Sequence, residues 1–285
     1  STQSRSSAAS DVYKRQFKKR MIIFEVVYVA LMVTLYVLKP TASPIALALM
    51  LIVGGLFIAA AQYINAVNTH NRQLNRLYNQ LDAEGFLKEY KPHLQQNPSN
   101  PQLYTMVRLH LTNAYAAQGR FDEAMKLLTS TPIRTCKKPE QTLMNRFAIT
   151  SNLCYCAEQM GDLDTAKKYL DELHGYKNEL EEIQKTKKPK QRMAFSCELN
   201  DQCMKLLSTG KCDVQALKTQ VQSNNTQQLH RITTSLWIAR AYLAEQNRRE
   251  AENILQQIVK LAPDLYPGKE AARMLAELPA AAQAK

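Results

Sequence analysis

Apolar positions at Leu111, Ala114 and Tyr115, then at Phe121, Ala124, Leu127 and Leu128, follow the three-and-four spacing of a helix face, with Gly119 between the two sets. A glycine there can take a left-handed turn and reverse the chain. Each helix then carries an apolar face too wide to leave in water, so the two must pack on each other and on neighbours. The order returns at Leu153-Cys154-Tyr155 and Ala157, Gly161, Ala166, with Leu170 and Leu173 following. A third copy aligns on Ala239, Tyr242, Ala251, Leu255 and Ile258 and closes at Pro263, with Gln246 where the glycine belongs. Cys203 to Leu217 around Gly210 is a degenerate copy, out of phase at Ala216, and Leu77 to Pro98 around Gly85 is a weaker one.

An aromatic residue four before the glycine and an alanine five after it, as in Tyr115, Gly119 and Ala124, resembles the tetratricopeptide repeat. The family's period is about 34 residues, whereas Gly119 to Gly161 spans 42, so longer helices or loops are expected. The resemblance implies helix pairs stacked as a solenoid, with the first helix of each pair lining a concave groove that takes peptide segments of partner proteins. Carried onto this chain, the groove positions are Leu109, Asn113 and Ala116, then Ser151, Tyr155 and Glu158, then Leu236, Arg240 and Leu243. Relatives that clamp a C-terminal carboxylate use a Lys and Asn set. Asn113 fits that pattern, but Leu109 stands where the lysine is needed, which argues against a chaperone-tail clamp. Trp237, on the same helix as Arg240, is expected in the core rather than as a groove anchor.

Upstream, Met21–Leu38 is apolar with one charge, Glu25, near its start, and Ile45–Ile64 carries none. At ~1.5 Å per residue each can cross about 30 Å of hydrocarbon. Pro40 and Pro44 break the chain between them, so a transmembrane hairpin over 17–64, with spans 21–38 and 45–64, is expected. Gly55 and Ala59 form a small-residue pair on which the second helix could approach the first. Glu25 lies close enough to the interface to reach it, although an intramembrane role is the rival reading. Lys18, Lys19 and Arg20 precede the first span, Arg72 and Arg76 follow the second, and Lys39 alone lies between, which places both termini in the cytoplasm. If the first run were a cleaved signal, the second would still act as a stop-transfer anchor with the repeats inside.

Residues 1–16 are rich in Ser, Thr, Gln and Ala, and residues 11–16 match one reading frame of a transposon end used in sequencing libraries, so this stretch is expected to be a non-native or disordered tail. Residues 65–278 form the repeat domain, and 279–285 a disordered tail. The fold class expected is all-α: two transmembrane helices followed by a tetratricopeptide-like α-solenoid.

Charge changes the picture little. Of the formal +12, residues 65–285 carry +7 with acids interspersed, so the domain is only mildly basic and nucleic acid is not an expected partner. Lys185-Thr186-Lys187-Lys188-Pro189-Lys190-Gln191-Arg192 is a basic cluster, expected as a solvated loop, with anionic lipid headgroups as its candidate ligand.

Candidate chemistry is sparse. Cys136, Cys154, Cys156, Cys197, Cys203 and Cys212 include no Cys-x2-Cys unit, and Cys154 and Cys156 diverge by about 200° on a helix. Unpaired thiols buried in a reducing compartment account for the set. His70, His93, His110, His174 and His230 are scattered, and no phosphate-cradling or nucleophile-elbow glycine motif is present. No metal, cofactor or catalytic residue is therefore expected. The function expected is a membrane-anchored, cytoplasm-facing adaptor that binds a protein partner. The alternative is an assembly component in which the repeats mediate self-association as a homo-oligomer and the hairpin carries the function.

Overall fold

In the computed structural model the chain is described at residues 26–30, 32–34, 37, 44–96, 99–183, 187–222 and 227–278. Among these every regular element is helical, and the chain divides into two compact units, Ser1–Gln73 and Leu74–Lys285. The expected tails at 1–16 and 279–285, Glu25 and the proline link at 39–43 lie outside the described residues.

In the first unit, residues 26–30, 32–34 and 37 are helical, and α1, Pro44–Tyr78, begins the second apolar run and continues past Ile64. Within it Ala48–Tyr78 is, among the described residues, one helix long and apolar enough to cross a membrane, with a mean hydropathy of 1.8 over its most apolar window. Leu49, Leu56, Phe57 and Ile64 stand exposed along it. The Tyr28 hydroxyl donates to the Met50 carbonyl at 2.5 Å, and a Cβ built on Gly54 would fall inside the Tyr28 ring. The contact glycine is therefore Gly54; Gly55, the expected one, has nothing within 4 Å.

The second unit is a run of antiparallel helix pairs. The end of α1 pairs with α2, Ala83–Tyr90; α3, Pro101–Ala117, with α4, Phe121–Thr129; α5, Pro139–Met160, with α6, Leu163–Ile183; α7, Lys187–Thr209, with α8, Val214–Gln222; and α9, Gln228–Ala244, with α10, Arg248–Leu261. A last helix, α11, Tyr266–Glu277, packs on α10. Every turn inside a pair contains a left-handed residue: Leu81, Gly119, Gly161, Gly210 and Gln246, with φ between 60° and 77°. Three of the turns close alike, with Arg120, Asp162 and Asn247 donating their amides to the carbonyls five residues back at Tyr115, Ala157 and Tyr242.

Two expectations are corrected here. The upstream copy turns at Leu81, not Gly85; Gly85 sits inside α2, where its amide is capped by the Asp82 carboxylate at 2.8 Å. The basic stretch is not a loop from Lys187 onward, because it opens α7, with the Lys190 ammonium donating to the Glu181 carbonyl. Residues 185 and 186 lie outside the described residues.

Gln246 reaches the left-handed region at a cost that glycine avoids, about 1–2 kcal/mol for a residue with a Cβ set against the greater freedom of glycine in the unfolded chain. Gln246→Gly is therefore expected to stabilise the unit by about 0.5–1 kcal/mol, read as a raised midpoint in urea unfolding.

The core shows that the stack is not open-ended. One buried cluster joins Leu77, Phe86 and Tyr90 from the first pair and Leu111, Ala114 and Phe121 from the second to Leu229, Ile232, Leu236, Leu255, Ile258 and Met274 from the last helices. The middle pairs form their own cluster around Leu143, Leu173, Leu180 and Met193, and a third surrounds Trp237, Leu217 and Cys203. Cys154 and Cys156 face opposite clusters, as their divergence on one helix requires. The ends of the array thus share one core.

Candidate functional site

Helices α3, α5 and α9 carry the nine residues that the sequence assigned to a groove, and these lie in different surroundings. Ala116 and Leu236 are buried in the cluster shared by the two ends of the array. Leu109, Ser151, Tyr155 and Leu243 are half-buried. Asn113 donates to the Tyr78 hydroxyl at 2.8 Å, and that hydroxyl meets His110 Nδ1 at 2.7 Å, so Asn113 braces the first pair. Burial pushes the Tyr78 hydroxyl up to about 12, with Asn113 acting against it. The Ser151 and Ser196 hydroxyls meet at 3.1 Å and tie α5 to α7.

Glu158 is the chemically unusual member. Its side chain is only 3% exposed, and desolvation raises its carboxyl from the ordinary 4.5 to about 8, with the Cys154 contact and the Arg240 charge acting in the opposite direction. The group is therefore predominantly protonated at neutral pH. Cys154 Sγ donates to its Oε1 at 3.5 Å. With Tyr155, Asn200, Cys203, His230, Thr234 and Trp237, it lines a cavity of about 50 Å³, room for a few water molecules but not for a peptide. Burial also lowers His230, so the carboxyl and the imidazole that line the cavity both favour their neutral forms near pH 7. Burial likewise raises the thiols of Cys154, Cys156, Cys197 and Cys203, so none is poised as a nucleophile. Among the described residues no three His, Cys, Asp or Glu side chains gather as a metal site.

Arg240 links this interior to the end of the chain. Its guanidinium lies 4.6 Å from the Trp237 ring, donates to Gln159 Oε1 at 3.2 Å and pairs with Glu270 of α11 at 3.3 Å. Glu270 also pairs with Arg273 at 2.8 Å, and the hydrogen bond from Arg273 is the first cause holding its carboxyl below the ordinary range, with burial opposing. One turn before Glu270, the Tyr266 hydroxyl donates to Gln159 Oε1 at 3.3 Å, and its ring meets Phe121 edge-on at 4.8 Å between centroids. Gly119 leaves room for that ring: a Cβ there would stand 3.0 Å from Tyr266 Cδ2. Helix α11 therefore touches the C-terminal ends of α3, α5 and α9 together.

The sequence reading missed Tyr266, Glu270 and Gln159. The signal that could have marked α11 is the aromatic-to-acid spacing Tyr266-x-x-x-Glu270, which sets both side chains on one helical face. Trp237 is 2% exposed and belongs to the third cluster, while one edge also lines the cavity.

The two glycine turns make a matched test. Gly161 has nothing near its missing Cβ, so Gly161→Ala costs only left-handed strain, about 1 kcal/mol. Gly119→Ala carries the same strain and presses on Tyr266, so a larger loss is expected, measured as the difference in urea midpoints at equal slope.

Comparison with known proteins bears on the same helices. Residues 108–140 and residues 234–264 each match a tetratricopeptide repeat family model, the first across α3 and α4 and the second across α9 and α10. No curated protein and no solved structure matches the chain. The chain is thus a tetratricopeptide-like helical-repeat protein, an architecture that points to protein–protein interaction.

Proposed function

We propose that this protein is a membrane-anchored adaptor, without enzymatic activity, whose repeat unit binds a partner protein on the inner face of α3, α5 and α9. The observation that carries the reading is the pair of tetratricopeptide repeat matches, since such stacks present inner helices to peptide segments. The binding surface proposed is the groove set Leu109, Asn113, Ala116, Ser151, Tyr155, Glu158, Leu236, Arg240 and Leu243. Its half-buried members, Leu109, Asn113, Ser151, Tyr155, Arg240 and Leu243, make first contact, and the buried Ala116, Glu158 and Leu236 support them.

The anchor proposed is a two-span hairpin over 17–64 with both termini in the cytoplasm. Support comes from the exposed apolar length of α1, from the seating of Tyr28 over Gly54 and from the lysines and arginines flanking the two runs. Confinement to a bilayer raises the effective concentration of a membrane partner. The basic stretch 185–192 is assigned to anionic headgroups of the same leaflet.

Photo-crosslinking from Leu109, Ser151 and Leu243 in the full-length chain, in native membranes, tests the reading by mass spectrometry. Recovery of one partner chain from all three positions supports it. Crosslinks confined to copies of this chain would sink it in favour of self-association.

A further inference from the structure

Helix α11 is short and packs on α10. Its buried residues are Pro267, Gly268, Ala271 and Met274, of which Met274 alone is a large side chain, whereas its neighbour α10 buries Leu255 and Ile258. A helix of 12 residues has little stability of its own in water. Ala271 and Met274 seat it on the shared cluster with Leu275 packed alongside, and the polar contacts of its two face residues add to that seat. Tyr266 seats its ring on Phe121 beside Gly119 and its hydroxyl on Gln159; Glu270 meets Arg240 where both side chains are less than one-fifth exposed. The helix is also tethered closely, because Gly268 lies so near the Ala262 carbonyl that no side chain fits between them.

Three of the residues these two side chains touch, Phe121, Gln159 and Arg240, come from three different helix pairs. They form a composite receptor: an aromatic wall, an amide oxygen and a guanidinium held over Trp237. It recognises an aromatic hydroxyl and, four residues later on a helix, a carboxylate. Arg240 is already one of the inner-face residues of the adaptor reading, on which the present inference rests.

We propose that α11 is an internal stand-in for the partner, and that the partner docks by presenting a helix with an aromatic hydroxyl and an acid four residues on, displacing α11 from Phe121, Gln159 and Arg240. The closed state masks the surface, and the tether gives α11 a high effective concentration against any competitor. A partner must therefore either bind tightly or be concentrated at the same membrane. Apparent affinity falls by the fraction of molecules in which the face is open, so loosening α11 raises affinity with no new contact made.

The test uses the full-length chain in lipid nanodiscs and a fluorescent peptide copying residues 262–278, read by anisotropy. Tyr266→Ala in the protein weakens the internal helix and leaves its receptor whole, so the peptide is expected to bind this variant at least about tenfold more tightly than the wild type. Adding Arg240→Met to that variant, or Glu270→Gln to the peptide, removes one side of a charge-assisted contact and is expected to weaken binding about tenfold or more. If Tyr266→Ala lowers the helical circular dichroism of the whole unit, Glu270→Gln in the protein replaces it, since that change loosens α11 without disturbing the wall at Gly119. Equal binding to wild type and loosened variant, equal binding of a scrambled peptide, or no binding to either variant would overturn the proposal. Crosslinks to a partner at Leu109, Ser151 and Leu243 with no peptide binding would leave the adaptor standing with a ligand of other chemistry. Peptide binding without partner crosslinks would do the reverse.

Discussion

Glu158→Gln is expected to stabilise the repeat unit at pH 8 and to change it little at pH 5. The buried carboxyl titrates near 8 in the folded chain and near 4.5 when unfolded. Below pH 4.5 both states hold the proton and the group contributes no pH dependence. Between 4.5 and 8 the unfolded chain releases the proton while the folded chain keeps it, so stability falls by about 1.4 kcal/mol per pH unit from this group. Above 8 the loss is complete, up to about 5 kcal/mol. Glutamine keeps the shape and an acceptor for Cys154 but does not ionise. Urea unfolding of both proteins at pH 5, 6.5 and 8 isolates the effect, because other titrating groups cancel in the difference. A constant difference across this range would show that Glu158 is ionised in the folded chain.

Leu111→Ala is the second large effect. Leu111 is fully buried in the cluster that joins the first helix pairs to the last. Truncating a leucine in such a site costs about 2–5 kcal/mol through lost burial and the cavity left behind. In an open stack the damage would stay with α3 and its neighbours, since each repeat contacts only the next. Here the same cluster holds Leu229, Ile232, Leu255 and Met274, so α9, α10 and α11 should lose hydrogen-exchange protection along with α3. Leu173→Ala, in the cluster of the middle pairs, costs a similar amount but should spare α11.

Local chemistry carried much of this fold. Gly119, Gly161 and Gly210 mark turns because glycine alone enters the left-handed region without strain, and flanking apolar periodicity fixes the helices on either side. Gln246 was still legible, since Tyr242 and Ala251 keep their places around it. Leu81 was not, because a leucine at positive φ violates the rule that pointed to nearby Gly85. Residues 187–192 looked like a loop from their charge and Pro189, yet proline is tolerated in the first turn of a helix. The interior was the least legible part. Glu158 reads as one more polar residue near a helix end, and its desolvation comes from α7 and α9, which lie far along the chain. The meeting of Tyr266 with Gly119 and Phe121 is likewise a tertiary event that no local pattern announces.

Closure of the array is the claim on which the masked face, the effect of Leu111 and the inference about α11 all depend. Hydrogen exchange on the full-length chain, wild type beside Tyr266→Ala, tests it most directly. In a closed array the amides of α11 and those around the Gly119 turn, near residues 115–121, lose protection together, while the Gly161 turn of the middle pair changes less. Loss of protection in α11 with the Gly119 turn unchanged would contradict it, and would make α11 a cap on α10 alone.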